Sequence, residues 1–126
     1  MPTPSDSREE LLRQLQDVST GLLYPSETDA PFDAFVWKAT EEDAAHQLHA
    51  EGKSIEPMTE TTLDDFFEWL ISGDEDERYR KMRRVLESQL TGIRVLRGGE
   101  IRVEVYLIGK TKWGDWAGFH TVSVET

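Results

Sequence analysis

The stretch "IRVLRGGEIRVEVYLIG", residues 93–109, decides the fold class. Two runs rich in β-branched residues flank the pair Gly98-Gly99, the chemistry of a hairpin turn. Beyond the turn, Ile101, Val103, Val105 and Leu107 alternate with Arg102, Glu104 and Tyr106, the period of a strand with one apolar face. A loop, "KTKWGDWAG", leads to "FHTVSVET", which reads as a final strand reaching Thr126. The last third of the chain is therefore read as three strands of an antiparallel sheet.

Upstream, the pattern changes to helix. "SREE" at residues 7–10 is a capping box, and Leu11, Leu12, Leu15 and Val18 follow at helical spacing. Gly21 fits the left-handed residue that closes such a helix, so a first helix is predicted over 7–20, after a flexible polar tail at 1–6. "FDAFVWK" reads as a strand with Phe32, Ala34 and Val36 on one face and Phe35 and Trp37 on the other, covered on both sides. "TEEDAAHQLHAEG" predicts a short helix capped by Thr40 and ended by Gly52, and "KSIEPM" a weak edge strand because of Pro57. "TTLDDFFEWLISG" predicts a helix capped by Thr62 and ended by Gly73. Another helix opens at "DEDE" (74–77) and runs to Gly92, with a basic run from Arg78 to Arg84 on a solvated face paired with those acids. The 126 residues suit one domain, 1–126, of α+β class with a mainly antiparallel central sheet.

The net charge of −11 sets the kind of partner. A field of that sign repels nucleic acid and anionic membranes and attracts basic proteins. A solubility device, or adaptation to high salt, gives the same charge. The absence of cysteine excludes disulfides and thiolate metal sites. The start, "MPTPSDSREE", lacks the basic and apolar regions of a secretory signal, and no apolar run approaches a membrane span; a soluble cytoplasmic protein is expected.

Enzyme chemistry finds little support. There is no Gly-rich phosphate loop, no HExxH and no nucleophile elbow. His46 and His49 sit three apart near Glu42 and Asp43, but a metal there needs a third ligand that nothing specifies. His120 reads as a partly buried structural histidine. Two loops stand out instead. "PSETDAP" at residues 25–31 presents Glu27 and Asp29 on a proline-pinned turn, either a solvated turn or a mount for a carboxylate. "TKWGDWAG" places Trp113 and Trp116 in a Gly-flanked loop, as partner contacts or as indoles folded back over the sheet.

Two stretches, "GLLYPSETDAPFDAFVW" and "RVEVYLIGKTKWGDWAGFHTVSVET", resemble the signature stretches of the nuclease A inhibitor family. The matching elements are Gly21, Leu22, Leu23, Tyr24, Ser26, Glu27, Pro31, Phe32 and Trp37, then Val105, Tyr106, Ile108, Gly109, Ala117, Gly118, Val124, Glu125 and Thr126. The resemblance implies a three-layer α/β/α sandwich compared with the pathogenesis-related-protein-1 type of fold. It implies a monomeric inhibitor rather than an enzyme, with no cofactor or metal of its own. Its partner would be a metal-dependent, sugar-nonspecific DNA/RNA endonuclease, whose active site it plugs. By that resemblance Glu27 and the C-terminal Thr126 would reach the nuclease's catalytic ion. Read from the sequence itself, Ser26, Asp29, Trp113, Trp116 and Glu125 are further candidate contacts, the two tryptophans standing where the family carries smaller residues. The alternative is an acidic protein-binding module of the same fold with a different cationic partner.

Overall fold

The computed structural model describes residues 4–53, 58–71 and 76–124, with the backbone alone at 4–6, 69 and 76. In chain order the elements are α1 (Pro4–Ser19), β1 (Leu23–Tyr24), β2 (Ala30–Pro31), β3 (Asp33–Trp37), α2 (Ala44–Ala50) and β4 (Met58–Thr61). They continue with α3 (Leu63–Ile71), α4 (Asp76–Gln89), β5 (Thr91–Gly98), β6 (Arg102–Lys110) and β7 (Trp116–Val124). Five strands form one sheet in the order β3-β7-β6-β5-β4, and every neighbouring pair is antiparallel. The β5–β6 hairpin turns at Gly99, where φ is +112° and a Cβ would stand 2.3 Å from the Arg102 carbonyl oxygen, so only glycine fits.

The alternation read from the sequence places two apolar clusters on the two faces. On one face Val103, Val105, Leu107 and Phe119 pack under Leu11, Leu15 and Val18 of α1, Phe67 and Leu70 of α3, and Met82 and Leu86 of α4. On the other, Leu96, Tyr106, Ile108 and Trp116 meet Ala44 and Leu48 of α2. Strand β3 divides as expected: Phe32, just before it, with Ala34 and Val36 joins the first cluster, and Phe35 with Trp37 the second.

Several boundaries differ from the sequence expectation. Helix α1 begins at Pro4 rather than Ser7, so residues 4–6 belong to the helix; proline, which lacks an N–H, suits a first helical position. Asp43, not Thr40, caps α2, its carboxylate accepting from the amides of Ala45 (3.0 Å) and His46 (3.3 Å). Thr40 and Glu41 instead donate their amides to Oε1 of the fully buried Gln47, both at 2.9 Å. Gly92 does not end α4. At φ +59° it serves the register shift between Thr91 and Arg94, a bulge in β5. Ile101 is exposed at the hairpin tip rather than in the apolar row. Arg83 of the basic run reaches Asp64 of α3 and Glu87 one turn on. Most of "KSIEPM", as well as Gly73 and much of "DEDE", lies outside the described residues; β4 is the edge strand at Met58–Thr61. The cap of α3 is as expected, with Thr62 Oγ1 accepting from the Asp65 amide at 3.0 Å.

The loop between β6 and β7 is tied down by Asp115, which is 5% exposed. Its carboxylate accepts from the Trp113 indole (2.7 Å), the Ala39 amide (3.3 Å) and the Arg8 guanidinium. Burial works against the charge, but Arg8 and these two N–H donors outweigh it and hold the carboxyl below its ordinary value of 3.8. A lowered folded-state pKa contributes stability that is complete above the unfolded value and lost as pH falls through the folded one. In acid unfolding followed by circular dichroism, Asp115→Asn should therefore lower stability at neutral pH and flatten the loss below about pH 4. An acid limb as steep as the parent's would count against this role.

Candidate partner-binding site

The turn at residues 25–29 connects β1 and β2, which pair as Leu23↔Pro31 and Tyr24↔Ala30. This two-stranded ribbon is mounted on the core. The Tyr79 hydroxyl of α4 donates to the Leu23 carbonyl at 2.5 Å, Tyr24 stacks on Phe66 at 5.5 Å, and Thr121 Oγ1 donates to the Pro31 carbonyl at 3.0 Å. Pro31 thus lies in the ribbon rather than inside the turn, and its carbonyl is the anchor.

Within the turn, the Ser26 hydroxyl donates to the Thr28 carbonyl (2.8 Å) while the Ser26 amide donates to Asp29 Oδ1 (3.4 Å). The same hydroxyl oxygen accepts the Val124 amide at 3.0 Å, and the Glu27 amide donates to the Val124 carbonyl at 3.4 Å. Turn and final strand are therefore stitched together by a reciprocal pair of bonds. The Glu27 side chain is exposed there, beside the last described residue of β7. Glu125 and Thr126 lie outside the described residues. Asp29 gains a structural part that its charge alone did not suggest, closing the turn on Ser26. The short-range signal for it, a Ser three residues before an Asp in a proline-flanked turn, is present in the sequence.

The model of the nuclease A inhibitor-like protein family matches residues 9–126, nearly the whole chain. The chain belongs to that family. Comparison with curated proteins gives no match. Membership of the nuclease A inhibitor-like family makes nuclease inhibition the activity to be accounted for, and a protein its partner.

The tryptophans expected as loop contacts behave differently from Glu27. Trp116 is only 5% exposed, lies in β7 rather than the loop, and donates its indole N–H to the Glu41 carbonyl at 2.9 Å. It covers the second face of the sheet, with the Lys110 ammonium 4.5 Å over its ring, so it offers no loop surface. Trp113 is half-buried against the first cluster with its indole held by Asp115. His46 and His49 are exposed on α2, and among the described residues no group of three or more His, Asp or Glu side chains is arranged to hold a metal ion. His120 is partly buried between two carboxylates, its Nε2 2.9 Å from Glu104 and its Nδ1 3.7 Å from Asp33. Among the described residues no helix is long and apolar enough to cross a membrane.

Proposed function

We propose that this chain is a stoichiometric inhibitor, not an enzyme, that seats the corner formed by the 25–29 turn and the end of β7 in the active site of a metal-dependent, sugar-nonspecific nuclease. The observation that carries this reading is the pairing of Ser26 and Glu27 with Val124. It fixes the Glu27 backbone against the final strand. Two peptide links separate Val124 from Thr126, a reach of at most about 7–8 Å between their Cα atoms. Glu27 and Thr126 can therefore address one ion together, with Ser26 and Asp29 holding the turn and Glu125 adding charge. The ion belongs to the partner; the inhibitor brings no metal or cofactor of its own.

The chemistry fits a nuclease site. Mg²⁺ takes hard oxygen ligands in near-octahedral geometry, and such a site is built to meet phosphate oxygens. A carboxylate and a threonine hydroxyl replace them. The −11 charge speeds approach to a basic groove, whereas tight binding rests on a well-packed centre of the contact. Before complex formation the chain is a monomer. Apolar clusters on both faces of the sheet support the three-layer α/β/α reading of the scaffold, with its likeness to the pathogenesis-related-protein-1 type of fold.

Titration of such a nuclease with the full chain tests the proposal. Cleavage of both DNA and RNA should stop at one inhibitor per enzyme, and the association rate should fall about tenfold or more between roughly 0.05 and 0.5 M salt. Full nuclease activity in the presence of excess chain would overturn the proposal and favour a different cationic partner.

A further inference from the structure

A cleft of about 440 Å³ opens on the sheet face that carries α2, at the size of small-ligand sites. Phe35 and Trp37 stack at a centroid distance of 4.0 Å, and Tyr106 lies 6.2–6.3 Å from both. His120 sits 4.7 Å from the Tyr106 ring, between Glu104 and Asp33. Tyr106 is 4% exposed, and its hydroxyl makes no hydrogen bond among the described residues. Every fully buried side-chain polar atom among them has a partner, so this hydroxyl keeps its sliver of solvent by facing the cleft. Burial, then the Glu104 charge, push the phenol up to about 12. It therefore stays protonated, a neutral group with its hydrogen-bonding capacity unused. Such a group weakens a fold that a phenylalanine would serve as well.

We infer that this cleft receives a guanidinium group, the arginine side chain of a basic partner protein. A planar cation stacks on aromatic faces and forks its donors, and Trp37, still partly exposed, offers the face. Glu104 accepts from His120 and from Arg102 Nε, which leaves half of a carboxylate's lone-pair capacity for further donors. The Tyr106 oxygen supplies a second acceptor. Asp33 adds a second carboxylate to the lining, which outnumbers Lys53, the one Lys or Arg there among the described residues. Asp33 and His120 also line a cavity of about 250 Å³ shared with Thr28, Asp29 and Val124. A protein seated on the turn thus reaches the cleft without a break. Only the owner of the arginine rests on the proposed nuclease inhibition; the chemistry of the cleft does not.

The test uses the full chain alone. It is titrated with N-acetyl-arginine amide and followed by ¹H–¹⁵N NMR, with the lysine and citrulline counterparts as controls. Saturable shifts at Trp37, Tyr106 and His120 are expected with a dissociation constant of about 1–10 mM, and weaker binding of both controls. Tyr106→Phe should keep or raise the melting temperature and bind the arginine probe about 3- to 10-fold more weakly. No saturation, citrulline or lysine binding as well as arginine, or unchanged affinity in Tyr106→Phe would each overturn the assignment. A chain that binds the probe and inhibits no nuclease fails the proposed function and not the cleft. A chain that inhibits but does not bind the probe fails the cleft alone.

Discussion

Replacing Glu27 with alanine should weaken nuclease inhibition by at least about 30-fold, because truncating a charged group at the centre of a contact typically costs about 2–5 kcal/mol. The fold should survive. The amide of residue 27 keeps its bond to the Val124 carbonyl whatever the side chain, and Ser26 still accepts from the Val124 amide. Interactions of an exposed carboxylate are worth about 0–1 kcal/mol, so stability should shift by no more than about 1 kcal/mol. Asp29→Asn is the informative companion. It removes one charge two residues away but keeps an oxygen for the Ser26 amide. If diffuse negative charge were the whole source of inhibition, the two variants would lose it equally. A carboxylate placed on the nuclease's ion makes Glu27→Ala much the worse of the two. The readout is the inhibition constant of each variant in a nuclease assay, with thermal unfolding as the control for folding.

The largest stability effect should come from Gly118→Ala. Gly118 lies in β7 between β3 and β6, opposite Phe35 on one side and Ile108 on the other. Its φ is +154°, and a Cβ there would stand 1.7 Å from the Leu107 carbonyl oxygen. That oxygen belongs to the neighbouring strand's backbone, so no side-chain rotation relieves the clash. The central sheet itself must move, and the loss should be about 3–5 kcal/mol. Against the roughly 5–15 kcal/mol that holds a domain together, this lowers the melting temperature by at least about 10 °C. Circular dichroism melts check it; a melting temperature near the parent's would mean that the close approach at Gly118 is not a constraint. Gly114→Ala is the control. That glycine also has positive φ, +92°, but an added Cβ meets nothing within 4 Å, so its loss should be the smaller.

The contrast between these two glycines shows what the sequence could and could not reveal. Gly114 and Gly118 both flank tryptophans in one stretch and read alike as loop residues. The close approach of β6 to Gly118 is a long-range fact that no local pattern encodes. The period-2 alternation of Val103, Val105 and Leu107 was legible because one face of the strand is buried under three helices, and the register follows from that. The helix α3 cap at Thr62 was legible because a cap is a contact between near neighbours. Trp116 was misplaced in the loop because the clamp by Asp115, which shortens that loop, uses Arg8 from the other end of the chain. The cap of α2 went astray for a similar reason. Gln47, buried by tertiary packing, takes the Thr40 and Glu41 amides and leaves Asp43 to start the helix. At the candidate site, the acidic turn and the terminal Val-Glu-Thr were each visible, but the pairing of the turn with Val124 required the fold. Ser26 is the residue that joins them, through one hydroxyl that bonds both to its own turn and to β7.

Thr126, the last residue of the sequence, allows the most direct test of a shared metal-reaching corner. One glycine added directly after it changes what stands beside the Thr126 hydroxyl and leaves Glu27, the net charge and the described sheet as they are. The measurement is the inhibition constant of this extended chain against a metal-dependent, sugar-nonspecific nuclease, beside that of the parent. The corner model expects inhibition at least about 30-fold weaker with an unchanged melting temperature. An extended chain that inhibits as tightly as the parent would contradict it.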